Sequence, residues 1–394
     1  RSLNVEPYRI NTNDLKYIDR EFHLRLRKSS LKPGDIVIVR TGKPGACAVV
    51  PEWLEEANCS DVVIVRAGPS IRAAYISYVV NFVALHHIDS HTVGAVQQHF
   101  NVGAARQIKF GLPSLNEQDR ILAILGALDD KIELNRRMNE TLEAMARVIF
   151  KDWFVDFGPT RAKLSGAKPY LTPDLWSLFP ARLNDKGLPE GWEMGLLSDF
   201  SDLQNGYAFK STEWQAEGVP VVKIGSVKPA VVDLDQVSFV SSELACERQD
   251  YRLSAGDILV GLTGYVGETG RVPPTDNPPL LNQRVARFIP NRNCYALVYA
   301  CVRDRAFKEF AEGQSHGSAQ ANVSTRNLMT YPLNKAPENV ISAYAGLVDP
   351  LLAMGLSNLG EMSALAALRD LLLPKLMSGE IRIRDAEKLV GEAV

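Results

Sequence analysis

The chain has 394 residues, a net charge of −2 with its histidines neutral, 46% hydrophobic residues and 23% charged ones. That length accommodates two or more domains with full cores, and the composition is that of a globular protein without the positive excess of one that coats nucleic acid non-specifically. No apolar run reaches the ~20 residues of a membrane span and no signal peptide is recognisable, which points to the cytoplasm. Cys47, Cys59, Cys246, Cys294 and Cys301 have no CxxC spacing, so they suggest neither a disulfide framework nor a metal site and read as buried thiols.

Internal repetition organises the chain. Residues 31–51, LKPGDIVIVRTGKPGACAVVP, align without a gap to residues 253–273, LSAGDILVGLTGYVGETGRVP. Gly34, Asp35, Thr41 and Gly42 match Gly256, Asp257, Thr263 and Gly264, 222 positions further on. Each copy reads as a Gly-Asp turn, a β-branched strand and a glycine-rich loop. The stretch from His91 to Val102 is echoed loosely by His316 to Val323. The second lobe opens at Leu188-Pro189-Glu190-Gly191-Trp192. Projected onto the first copy, that opening falls roughly 33 residues before Arg1, so the first lobe is expected to be truncated.

Leu115 to Phe157 is expected to form one helix, with Asn116 as its cap, Glu117 and Asp119 at its positive end, and no proline before Pro159. Ile121, Leu128, Asn135, Leu142 and Ile149 fall seven apart, and Leu125, Ile132, Met138, Met145 and Trp153 complete a coiled-coil seam. Its antiparallel partner is expected between Pro337 and Met377, where Leu352, Leu359, Ala366 and Leu373 are spaced alike and Val348 and Met362 join them. Pro350 is expected to start or kink that helix, Gly355 to weaken it and Arg369 to interrupt its seam. The Pro- and Gly-rich stretch from Gly158 to Lys186 reads as a linker that lets the second lobe swing, and the charged tail from Glu380 to Val394 as frayed.

The segment LPSLNEQDRILAILGALDDKIELNRRMNETLEAMARVIFKDWFVDF, followed by RAK, LPEGW, GDIL, LTG and LLLPKLMSGEI, resembles the specificity subunit of type I restriction-modification systems over nearly the whole chain. The resemblance implies an α+β fold of two mixed α/β target-recognition domains separated by two long antiparallel coiled-coil helices. It implies recognition domains at 1–113, N-terminally truncated, and 189–335, spacer helices at 114–157 and 336–379, a linker at 158–188 and a tail at 380–394. By the same resemblance the chain is non-catalytic and binds no cofactor. It reads a bipartite, asymmetric double-stranded DNA site and docks two modification subunits and restriction or translocase subunits, which use S-adenosylmethionine, ATP and Mg. Alternatives are the recognition subunit of a stand-alone methyltransferase or type IIG-like system, and a coiled-coil scaffold that binds only protein.

Only residues 1–113 have a basic bias, so DNA contacts must rest on locally clustered groups. In the first lobe the candidates are Arg40, Thr41 and Lys43 in the glycine loop, then Gln97 and Gln98 with Arg106. In the second they are Asn205, Tyr207 and Lys210, Thr263 and Tyr265 in the matching loop, and Gln320, Asn322 and Arg326. Asp276-Asn277-Pro278-Pro279-Leu280 has the outline of an adenine methyltransferase motif but has leucine where the stacking ring belongs, and it reads as a proline turn. There is no GxxxxGK[ST] loop, and His86, His87 and His91 lack further ligands for a metal.

Overall fold

The Gly-Asp turns sit identically in the two halves of the computed structural model, which describes residues 1–12, 14–90, 102–235, 237–315 and 321–393, with the side chains of 83–90, 104, 392 and 393 left aside. Asp35 accepts the Lys32 N–H at 3.0 Å and an Arg66 N–H at 3.0 Å. Asp257 accepts the Ser254 N–H at 2.9 Å and an Arg287 N–H at 3.0 Å. The aspartate thus closes its own turn and ties it to an arginine on the flanking strand, Arg287, or just past its end, Arg66. Gly34 and Gly256 occupy φ +83° and +90°, a region that L side chains rarely adopt, which is why both turns need glycine.

After each turn comes a short strand, Ile36–Val39 or Ile258–Gly261, paired antiparallel to a returning strand, Cys47–Val49 or Thr269–Arg271. The registers agree: Ile36 faces Val49 and Ile258 faces Arg271. A third strand flanks each on its other side, Val62–Val65 or Val285–Pro290. Both faces of the first sheet are covered, so Ile36 and Ile38 join one cluster with Val63 and Val80, while Val37 and Val39 join another with Val5, Leu31 and Val50. Burial on both faces explains a continuous β-branched run where a half-exposed strand would alternate.

The chain divides into two compact units, Arg1–Glu133 with Ser363–Val394, and Leu134–Met362. The first unit holds the three-stranded sheet, the two-stranded pairs Val5–Glu6 with Arg9–Ile10 and Ser30–Leu31 with Ala57–Asn58, and the helix Ala73–Ser90. The second holds a five-stranded sheet in the order 230–231, 269–271, 258–261, 285–290, 201–205, a three-stranded sheet in the order 238–240, 219–222, 280–281, and the pair Glu193–Leu196 with Pro332–Lys335. Each long helix contributes to both units.

The first long helix runs Leu115–Phe150. Its cap is Ser114 rather than Asn116: Glu117 N–H donates to Ser114 Oγ at 3.4 Å and Ser114 N–H to a Glu117 carboxylate oxygen at 2.9 Å, a reciprocal box after Pro113. The α-helix ends seven residues short of the expected Phe157 in a π-turn, Lys151–Val155. The wider turn lets Phe150, Trp153, Phe154 and Phe157 all face inward, each no more than 7% exposed. Phe157 then adopts φ +54° and stops the helix.

The second long helix, Glu338–Ser378, passes through Pro350 without starting or breaking there. Pro350 lies on the exposed side. One 18-residue window has mean hydropathy 1.5, long and apolar enough to cross a membrane by length and composition alone. Its inward residues, however, are part of the protein cores. In the first unit Leu365, Leu372, Leu373 and Leu376 pack with Ile121, Ile124, Leu125 and Leu128. In the second, Tyr344, Val348 and Leu352 join Ala146, Phe150 and Trp153.

Within each unit the paired helix segments run antiparallel, as expected. The seam differs in its middle: Met138 and Met145 are 36% and 46% exposed, and Asn139 and Ala146 face the partner instead. Asn139 donates to Gly355 O at 3.0 Å and accepts from Asn358 at 2.8 Å, while Asn135 donates to Glu361 at 2.8 Å. Gly355, which was expected to weaken the helix, lies inside its continuous run and supplies a carbonyl to this polar band. Arg369 does not interrupt packing either; it ion-pairs with Asp129 at 2.8 Å and stacks over the Tyr8 ring at 4.2 Å.

The expected swinging linker is ordered in the second unit. Pro159 begins the helix Gly158–Leu164, a second helix spans Pro173–Ser177, and buried Phe179 meets the Trp153 ring edge-on at 4.9 Å. The tail is not frayed either: Ile383–Ala393 is a helix whose Ala386 and Val390 are buried against Leu372 and Leu376. Cys47, Cys294 and Cys301 are buried, and burial pushes the Cys47 thiol up to about 12 despite a hydrogen bond to Ser77. Cys246 is exposed and Cys59 half-buried, against the expectation of five buried thiols.

Candidate nucleic-acid interface

At the sheet end opposite the Gly-Asp turn, the second unit gathers several of the expected residues. Strand 201–205 ends at Asn205, beside Ala286; strand 258–261 ends at Gly261, beside Val285. Their loops therefore emerge together. Leu262 N–H donates to Arg284 O at 3.0 Å, and Gly206 N–H to Val285 O at 3.2 Å. The segment around Asn322 is added to the Thr263 loop as a bridge: Gly264 N–H donates to Ala321 O at 2.9 Å and Val323 N–H to Leu262 O at 2.9 Å. The Thr263 hydroxyl meets Asn322 Oδ1 at 2.8 Å, and Asn205 Nδ2 donates to the Thr325 hydroxyl at 3.3 Å.

Three stretches far apart in sequence, around Asn205, Thr263 and Asn322–Arg326, thus form one polar rim. Tyr265 is 59% exposed with Lys228 Nζ 5.6 Å from its ring centre, and Arg326 is exposed on the short helix Thr325–Leu328, whose Asn327 N–H is capped by Ser324. The exposed Gln283 and Arg284 belong to the same rim and were missed. They precede strand 285–290, and only the pairing of that strand with 201–205 and 258–261 brings them there. Their sequence signal was a Gln-Arg pair one residue after the apolar strand Leu280–Leu281.

Two expected residues are placed differently. The Tyr207 ring turns toward the core, 5.0 Å from Phe209 and 5.4 Å from Tyr251, with Arg248 over it at 4.7 Å. Arg248 is raised above the usual guanidinium range by its hydrogen bond to Tyr207. Lys210 is exposed beyond Phe209, where its N–H is taken by Glu213 at 2.6 Å.

In the first unit, Arg40 and Lys43 are exposed and Thr41 half-buried on the loop matching Thr263. Arg40 N–H donates to Asp61 O at 3.2 Å, the counterpart of the bond between Leu262 and Arg284. Arg106 is exposed on the helix Val102–Gln107. Gln97, Gln98 and Gln320 lie outside the described residues, as do His91 and the side chains of His86 and His87.

Gly206 is required for close approach: a Cβ there would fall 2.2 Å from Asn282 O, a backbone atom that cannot step aside. Gly206→Ala is expected to destabilise the second unit by about 1–3 kcal/mol. Thermal denaturation against Gly225→Ala, where nothing lies within 4 Å, checks this; equal melting of the two variants would contradict it.

Two copies of one sheet-and-loop plan, each with a polar glycine loop at the same sheet end, and two long antiparallel helices define a duplicated α+β recognition protein. The chain belongs to the family of type I restriction modification DNA specificity domains, whose model matches residues 11–144 and 189–337. The specificity subunit of the type I restriction enzyme HindI from Haemophilus influenzae is 28% identical over 70% of this chain and 69% of its own. That of MjaIX from Methanocaldococcus jannaschii is 25% identical over 71% of this chain and 62% of its own, so the chain spans under two thirds of that relative. A type I S subunit crystal structure from M. genitalium aligns with 89% of this chain and 84% of that one, at 17% identity and a TM-score of 0.47.

Proposed function

We propose that this chain is the site-selecting subunit of a type I restriction-modification complex, and that each lobe reads one half of a bipartite, asymmetric DNA target with its glycine-loop rim. The observation that carries the reading is the duplicated loop, Thr41-Gly42 and Thr263-Gly264, set at equivalent sheet ends. Glycine permits close approach to a phosphate backbone, while threonine, asparagine and arginine side chains suit phosphates and base edges. The two rims differ in residue type, so the two half-sites differ.

The helix pair is the surface for partner subunits. Leu134, Met138, Met145 and Val148 are 36–67% exposed and recur at helical spacing on the first long helix, an apolar stripe facing away from its partner helix. Two modification subunits would occupy this region, with restriction or translocase subunits joining them. The chemistry belongs to those partners: S-adenosylmethionine supplies the methyl group, and ATP with Mg drives translocation and cleavage. The helices set the distance between half-sites, and the complex works in the cytoplasm, where its DNA is.

Replacing Arg284, Asn322 and Arg326 with alanine tests the reading. The half-site read by residues 189–335 should be relaxed or lost, at about 1–3 kcal/mol per bidentate contact removed, with the other half-site retained. Methylome sequencing of cells carrying the complete system reads both halves at once. An unchanged pair of half-sites, or a change confined to the other half, would refute the assignment.

A further inference from the structure

Tyr265 stands at the tip of the loop between strands 258–261 and 269–271, and its ring is 59% exposed. The loop beneath it is locked. Val266, the next residue, is 4% exposed and belongs to the main core of the second unit. Glu268 N–H donates to Tyr265 O at 3.2 Å, and Gly267 N–H to Gly261 O at 3.0 Å. A Cβ on Gly267 would fall 2.7 Å from Ala311 Cβ, so the loop is also pressed against the helix Arg305–Gly313. Two residues before the ring, the Thr263 hydroxyl is engaged with Asn322 at 2.8 Å. The ring is thus held out beside the polar rim by a backbone with little freedom to withdraw it.

Other tyrosines of the second unit have partners within the fold. Tyr207 and Tyr251 pack ring against ring at 5.4 Å, and the exposed Tyr170 donates its hydroxyl to Asp152 at 2.8 Å. The neighbour of the Tyr265 ring is Lys228, exposed, with its Nζ 5.6 Å from the ring centre. Arg287 and Lys308 are ion-paired, at 3.0 and 2.7 Å, whereas Lys228 has no carboxylate partner among the described residues. In the first copy the same loop position is the exposed Lys43, so the loop does not need an aromatic residue in order to fold.

A ring that is exposed, rigidly presented and backed by a free cation suits a nucleobase face beside a phosphate. In duplex DNA each base face is covered by its neighbours. A side chain reaches one only by entering a base step, which unstacks the step and kinks the helix. The deformation is least costly at pyrimidine–purine steps. We propose that Tyr265 is a stacking wedge: its ring enters one base step of the half-site bound at the second rim, and Lys228 neutralises a phosphate beside that step. The proposal rests on the reading of DNA by that rim. It adds selection by deformability, at a step that no polar group of the rim needs to touch.

The test uses the complete modification complex and duplexes in which 2-aminopurine, a base whose fluorescence stacking quenches, replaces each adenine in turn in the half-site read by residues 189–335. One step should brighten on binding. Tyr265→Phe should keep that signal, while Tyr265→Ala should lose it and bind about 5- to 150-fold more weakly, the range for removing one base–aromatic stack. Lys228→Ala should keep the signal and lower the slope of log affinity against log salt by about 0.9. Fluorescence from a target adenine extruded by the modification subunits would survive Tyr265→Ala, which separates the two events. A Tyr265→Ala complex with the affinity and the signal of the parent would overturn the proposal. So would weaker binding by that variant with no brightened step in the parent, which would make the ring a groove contact. Failure of the rim reading shows separately, as a parent complex with no preference for the half-site, and it takes the proposal with it.

Discussion

Asp129→Leu is expected to destabilise the unit built from residues 1–133 and 363–394 by about 2–4 kcal/mol, the cost of taking one of two carboxylates from a buried guanidinium and the acceptor from a buried hydroxyl. The Arg369 side chain is only 13% exposed and donates to Asp129 at 2.8 Å. Asp129 also accepts from the Tyr78 hydroxyl, whose ring lies 4.9 Å from that of Tyr8 under the Arg369 guanidinium. Burial, reinforced by the Asp129 charge, pushes the Tyr78 hydroxyl well up, so it remains a donor at neutral pH. Removing the carboxylate strands the Tyr78 hydroxyl and leaves Arg369 with Asp370 alone, at 2.8 Å. The double variant Asp129→Leu with Arg369→Met should recover the share of the loss that comes from the guanidinium, because an apolar pair of similar volume needs no partner, and the triple variant with Tyr78→Phe should recover the rest. Urea unfolding followed by amide exchange at residues 36–39 isolates this unit; a loss below about 1 kcal/mol would mean that solvent already screens the pair.

Trp153→Ala is expected to cost the second unit about 3–5 kcal/mol, the range for emptying an aromatic site in a packed core. Trp153 is 1% exposed, 4.9 Å from the Phe179 ring and 6.0 Å from that of Tyr344. The same aromatic group holds Phe154, with Tyr344 at 5.1 Å and Trp192 at 5.7 Å, so it ties both long helices, the ordered 158–188 segment and the opening of the second lobe into one core. Trp153→Phe should lose less than half as much. Thermal melts of the three proteins check the order, and an alanine variant that melts with the parent would show that this core is not limiting.

The two helices were legible because their length and apolar spacing are local properties. Their seam was read one residue out in its middle. After Asn135 a step of either three or four keeps a residue on the same helix face, and hydropathy alone prefers Met138 to Asn139. The structure takes Asn139, since Asn358 and the Gly355 carbonyl supply the partners it needs. The segment 158–186 was misread for a related reason: proline and glycine indicate where a chain turns, and they say nothing of whether Leu175 and Phe179 find a core. Lys163 donates to Phe179 O at 2.5 Å and holds that turn in place.

The rim was half legible. Asn205, Thr263, Asn322 and Arg326 were singled out by residue type and by the repeat, whereas Gln283 and Arg284 were not, and nothing local distinguished Tyr207, whose ring packs inward, from Tyr265, whose ring is exposed.

By itself the sequence determined the duplication, the glycine positions that require a left-handed backbone, the two long helices and the family, because each is written in residues close together or repeated at one offset. Only the tertiary structure decided which polar groups share a rim and which arginine is buried with an aspartate. Those depend on strand pairing and on burial between segments tens to hundreds of residues apart, where residue type permits several arrangements and packing selects one.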